Sequence, residues 1–155
     1  MAIEEIKAAI TEFIDVIEKP KETIAEREKA LAIALDKLIL FKNFAPDVFD
    51  NKEYPDSPNI EHELLLKRVK ELFPEFGFYN AANSVTDEIA ETELVVGDAL
   101  DDICDIYKDL KEVQWRFENT SENDALWHFG SMIGQHWLQH ALFLRLYIFF
   151  KRIQF

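Results

Sequence analysis

Two short stretches hold the residue types that could do chemistry. GDALDDICDIYKDL, residues 97–110, sets Asp98, Asp101, Asp102, Asp105 and Asp109 three and four positions apart, a spacing that gathers side chains on one face of an α-helix. HWLQH, further along, puts His136 and His140 four residues apart. Several carboxylates can hold a hard cation through oxygen. Two imidazoles at i,i+4 can share one transition-metal ion, and a carboxylate from a second helix would complete a mixed site for zinc, manganese or iron. The candidate metal ligands are therefore Asp98, Asp102, Asp105, Asp109, His136 and His140, with Mg²⁺, Mn²⁺ or Zn²⁺ as the ion.

A plainer reading competes with this one. At about 100° per residue, the five aspartates fill an arc of about 100°. The apolar arc of Val96, Leu100, Ile103, Ile106, Tyr107, Leu110 and Phe117 is centred nearly opposite. Opposed arcs predict aspartates that face water unless another element covers them. Like charges at these spacings repel by about 0.2–0.5 kcal/mol per pair, with Lys108 and Lys111 nearby to offset them. A basic protein surface is the partner that such a stripe would steer. For the histidines, the plainer reading is a buried or half-buried pair, each bonded to a carboxylate or carbonyl of a neighbouring helix. Trp137 stands where the protease motif HExxH needs its glutamate. His128, on another side of its helix, and His62, in the charged turn IEHE, add little.

The elements that must position these residues read as helices. Apolar positions recur with helical period, and five prolines and four glycines punctuate them. The first helix, about residues 2–18, aligns Ile3, Ile6, Ile10, Phe13, Ile14 and Ile17; a second, about 21–44, turns Ile24, Leu31, Leu35, Leu38 and Phe41 or Ile39 inward. The proline-rich stretch 45–58 reads as a surface loop, and Ser57 with Pro58 can open a third helix whose inner side is Leu64, Leu65, Val69, Leu72 and Phe73. Residues 74–92 look irregular, with Phe76, Phe78 and Tyr79 expected over a bundle end. A fourth helix is predicted over about 93–118, and Ser121 with Asp124 marks the start of a fifth reaching nearly to the C-terminus. That last helix is apolar nearly all round from Met132 onward, with Ile133, Phe129, Phe143 and Tyr147 flanking the histidines, as expected of a central helix. Gly130, Gly134 and Ala141 suggest close approach of a neighbour.

The expected architecture is thus an all-α single domain over residues 1–155, a bundle of about five helices with the last central. A chain of 155 residues with 13 Phe, 4 Tyr and 3 Trp can bury a real core. Its formal charge of −13 repels phosphate backbones and anionic membranes, so nucleic acid and membrane surfaces are poor partners. The single cysteine, Cys104, permits no intrachain disulfide, and MAIEEIKAAITEF has neither the basic start nor the apolar core of a secretory signal, so the expected compartment is the cytoplasm. The segment ALFLRLYIFF is too short to span a bilayer. No Gly-rich phosphate loop, GxSxG elbow or paired-cysteine zinc motif occurs, and Cys104 has no evident base, so no catalytic residue is assigned.

GDALDDICDIYKDL followed by ALWHF and HWLQH resembles a bacterial family of unknown function with an aspartate-rich DIY(K/R)DL helix and a His-Trp-x-x-His helix. The resemblance runs from about Val96 to His140. It implies an all-α, cytoplasmic-type domain with recurrent Asp/His pairing, but supplies no activity. The pairs Glu88 with Glu91, and Asp98 with Asp101 or Asp102, are more loosely similar to the ExxE and ExxD motifs of all-α nucleotide pyrophosphohydrolases, at a spacing too short for two helices joined by a turn. These readings imply either an acidic binding domain without catalytic activity or a metal-dependent hydrolase.

Overall fold

Helix boundaries follow the chain's capping residues. In the computed structural model, α1 spans Ala2–Glu18 with Glu4 and Glu5 in its first turn, and Pro20 follows it. Its Ile6, Ile10, Phe13, Ile14 and Ile17 are buried. Thr23 caps α2 (Ile24–Lys42) through a capping box, in which its Oγ1 accepts from the Glu26 amide at 3.2 Å. Leu31, Leu35 and Leu38 face the core. The structure describes residues 2–132 and 134–153; Ile133, expected beside His136, lies outside them.

Helix α3 (His62–Leu72) begins later than Ser57 and Pro58 predicted. Ser57 instead donates to Glu112 across to another helix, at 3.2 Å, which removes it as a cap. Leu65, Val69 and Leu72 point inward, whereas Leu64, about 100° round the helix from Leu65, is exposed.

Residues 74–98 depart most from expectation. Phe78–Ala82 (β1) and Leu94–Asp98 (β2) form an antiparallel hairpin that pairs Phe78 with Asp98 and Asn80 with Val96. The predicted fourth helix therefore loses its first turn and a half to a strand. Tyr79 lies over Gly97, where a β-carbon would overlap its ring. Phe76 is buried, packing edge-on to Tyr147, while Phe78 points into water.

Asp98 ends the hairpin and starts α4 (Ala99–Asn119), its Oδ1 accepting from the Leu100 and Asp101 amides at 3.0 and 3.4 Å. Ser121 caps α5 (Glu122–Trp127) through the Asp124 amide, as the sequence suggested. The expected single last helix is then interrupted by a π-helical turn at His128–Met132 before α6 (Gly134–Ile153). The Phe129 carbonyl of that turn accepts the Trp137 indole N–H at 3.1 Å, and it crowds the position where Gly134 would carry a β-carbon.

The helices assemble into the expected all-α bundle, with the hairpin at one end. Helix α4 packs on α1, α3, α5 and α6, whereas α6 lies between α4 and α2 and keeps a third side in water. All-round apolarity in α6 is thus not all-round burial. Among the described residues no helix is long and apolar enough to cross a membrane.

Candidate functional site

The helix α6 that leaves one face wet covers the aspartate face of α4 with another. Asp102 is buried, its side chain only 7% exposed. Its Oδ1 accepts from His140 Nδ1 at 2.6 Å and its Oδ2 from the Tyr79 hydroxyl at 2.5 Å. Asp109 accepts from His136 Nδ1 at 2.7 Å, and Asp105 Oδ2 lies 3.3 Å from His140 Nε2. Asp105 and Asp109 are half-buried. The expectation of a solvated aspartate stripe is therefore corrected for Asp102, Asp105 and Asp109.

The other two aspartates are engaged elsewhere. Asp98 caps α4 and does not join the cluster. Asp101 Oδ1 lies 3.2 Å from His62 Nε2, and His62 Nδ1 in turn accepts from Lys108, whose Nζ also reaches Asp105 Oδ1 at 3.8 Å. His62 on α3 thus ties the far side of the aspartate face, a role its charged turn did not advertise.

Position and environment raise the titrations of four groups, by different causes. The Asp102 hydrogen bond holds His140 above the ordinary imidazole value against the opposing effect of burial. Burial raises Asp109, and its bond to His136 only partly offsets this. Burial and the bond to Asp102 push the Tyr79 hydroxyl far up, so it stays a donor. The Cys104 thiol, buried on the apolar side of α4, is pushed up to about 12 by desolvation, which suits inert packing rather than nucleophilic chemistry.

His136 and His140 stand edge to face, with ring centres 4.7 Å apart. Each commits Nδ1 to its own aspartate, and the Nε2 of His140 turns to Asp105. One ligand atom each from Asp105, His136 and His140 falls within a common 4.8 Å. With zinc bonds of about 2.0–2.1 Å, two ligands of a tetrahedral ion sit about 3.3 Å apart. The Asp105–His140 separation of 3.3 Å already matches that edge. His136 is half exposed, at 53%, so solvent reaches the group. A cleft of about 540 Å³ opens on the Lys108 and Asp109 side, walled further by Ser57, Pro58 and Glu112.

Sequence reasoning missed Tyr79, whose contact with Asp102 depends on the unforeseen hairpin. It also passed over His128. That ring is buried against Asp124, which takes hydrogen bonds from Arg116 at 2.9 Å and Thr120 at 2.7 Å. The spacing of Asp124 and His128, four apart on one helix, was the available signal. This second cluster joins α4 to α5.

The chain belongs to the family described as a domain of unknown function, DUF5063, whose model matches residues 1–145. A crystal structure of protein BF1032 from Bacteroides fragilis is similar in fold, with a TM-score of 0.75 at 18% identity over 96% of this chain and 90% of that one. No curated protein matches. The looser similarity to nucleotide pyrophosphohydrolases finds no support in the fold, because Glu88 and Glu91 lie in the exposed hairpin loop and not on a helix.

Proposed function

We propose that this DUF5063 domain binds one divalent transition-metal ion through Asp105 of α4 and His136 and His140 of α6. The supporting observation is the paired orientation of the rings. Two histidines that each turn Nδ1 to a separate aspartate, Asp109 and Asp102, at 2.7 and 2.6 Å, also bring one ligand atom apiece within 4.8 Å of one from Asp105. Carboxylates in that position fix the tautomer and raise the basicity of a metal-bound imidazole. Two nitrogens and one oxygen suit Zn²⁺, Mn²⁺ or Fe²⁺ better than Mg²⁺, which prefers oxygen ligands and keeps its water.

Three protein ligands leave at least one position for water, the arrangement of hydrolytic rather than structural zinc. The metal-dependent hydrolase is the catalytic form of this reading, with the Lys108 and Asp109 cleft as its approach. The test is thermal unfolding of chelator-stripped protein with Zn²⁺, Mn²⁺, Fe²⁺ or Mg²⁺ added. At 100 times the dissociation constant an ion stabilises the fold by about 2.7 kcal/mol, which for this length is roughly 5–11 °C. The expected shift is absent in His136→Ala/His140→Ala. No shift with any ion, or the same shift in the double variant, refutes the site.

A basic protein surface is the second reading, and a different feature favours it. Between Lys70 and Lys108 the chain carries ten carboxylates and no Lys or Arg. Four of them, Asp87, Glu88, Glu91 and Glu93, lie in the exposed hairpin loop. If charge guides a partner, the hairpin offers it rather than the aspartates that α6 covers.

A further inference from the structure

The α2–α6 face of the bundle carries an apolar surface that none of the described residues covers. Ile33 and Leu40 on α2 and Phe44 in the turn just after it are 41–57% exposed, and Leu142, Leu146 and Phe149 on α6 are 50–52% exposed. Arg145 holds Asp36 across the seam between the helices, its Nε 2.6 Å from Oδ1. Lys42 beside Gly134 at one end shows that the two run antiparallel. Counting about 100° per residue from Asp36 and from Arg145, the six apolar positions fall about 40–100° to the solvent side of that ion pair on both helices. They therefore form one continuous patch.

We infer that this face is a twofold dimer interface, occupied by a second copy of the chain. Half of six large side chains amounts to roughly 500 Å² of apolar surface, at the upper end of what monomers leave bare. A standard interface buries about 800 Å² per partner, of which this patch supplies the apolar centre. The charge pattern selects a copy over a charged partner. On a chain of net charge −13, the ions at the middle of this face are already paired: Asp36 with Arg145, and Lys37 with Glu12 at 2.8 Å. Leu142, Leu146 and Phe149 follow the i, i+4, i+7 spacing by which one helix packs on another, and a twofold axis sets each stripe on its own image.

The experiment is sedimentation equilibrium of the intact chain from 1 to 200 µM, alone, as Leu142→Glu/Leu146→Glu, and as the control Phe78→Ser/Val96→Ser on the exposed hairpin. The wild type and the control are expected to dimerise. The Leu142/Leu146 variant should weaken the dimer at least a hundredfold while keeping the wild-type far-UV circular dichroism, since both positions are already half in water. Raising salt from 0.05 to 0.5 M should tighten the dimer, because it screens repulsion between acidic copies without touching the apolar contact. A wild type that stays monomeric throughout overturns the proposal, and so does a dimer that survives the double variant. Binding of monomeric wild type to phosphatidylcholine vesicles would assign the patch to lipid instead.

Discussion

Removing the Asp102 carboxylate tests how the two halves of the site depend on each other. Asp102→Ala takes away the acceptor of two donors at once, the Tyr79 hydroxyl and His140 Nδ1–H. Each buried donor left without a partner costs about 1–3 kcal/mol. Tyr79 and His140 are only half-buried and water can reach them, so the expected loss is about 2–4 kcal/mol. For a chain of this length that lowers Tm by roughly 4–16 °C. Tyr79→Phe alone should cost about 1 kcal/mol, since Asp102 keeps its bond to His140. In the double variant Asp102→Ala/Tyr79→Phe the orphaned hydroxyl is gone, so the two losses should not add; a coupling of about 1 kcal/mol is expected.

The assay is urea unfolding in the presence of chelator, which isolates the metal-free fold, followed by calorimetric titration with Zn²⁺. Loss of the aspartate behind His140 should weaken zinc binding about 10–100-fold, because the ring loses the bond that fixes its orientation. The stability and affinity readouts are separable. If Asp102→Ala unfolds within about 0.5 kcal/mol of wild type, as an ordinary surface substitution would, then Asp102 is not a buried acceptor. If stability falls while zinc affinity is unchanged, the aspartate holds the fold and plays no part in orienting a ligand.

Two further predictions concern the surroundings. Gly97→Ala forces the Tyr79 ring off the hairpin and away from Asp102; it should cost about 1–3 kcal/mol in urea unfolding and alter the near-UV tyrosine signal, and a loss under 0.5 kcal/mol would contradict the close approach. Asp50 accepts from Ser121 Oγ, the Tyr54 hydroxyl and the Lys52 amide, the Ser121 bond first among the causes that hold its pKa near 2. Its contribution to stability is therefore present above the ordinary value of 3.8 and is lost as pH falls towards 2. A carbon-detected NMR titration should show that midpoint, and Ser121→Ala should move it back towards 3.8.

Much of the bundle could be read from the chain because its signals are local. The isoleucines of α1, the prolines after α1 and α2, and Ser121 before α5 each act within a few residues of themselves. The hairpin could not be read this way. Phe78 pairs with Asp98 twenty residues on, and Val96 and Leu100 continue the helical apolar spacing of α4, so the strand looked like one more turn of helix. The break at His128–Met132 was hidden for a similar reason, since the apolar pattern runs through it unbroken. The candidate ligands were legible as types and spacings, but their meeting depended on which side of α4 the last helix would cover.

Helical wheels explain why that last step failed. The aspartate arc was judged by its centre, yet Asp102 precedes Ile106 by four residues and so stands about 40° from a fully buried side chain. A carboxylate at the edge of an apolar arc goes dry or stays wet according to its neighbour, and here the neighbour is α6. That helix has three sides. His136, His140 and Tyr147 share one sector, Trp137, Leu144 and Ile148 a second that is buried, and Leu142, Leu146 and Phe149 a third, the sector centres lying roughly 80°, 150° and 130° apart. A helix with only two faces would show a clear amphipathic period; one with a polar site face, a core face and an exposed apolar face reads as apolar all round. The covered aspartates and the bare leucines are thus two results of one rotation: turning α6 to place its histidines on α4 and its tryptophan in the core leaves the third sector outward. A dimer across that sector would hold α6 in the same rotation, so the integrity of the Asp105, His136 and His140 group and the occupancy of the α2–α6 face are linked through a single helix.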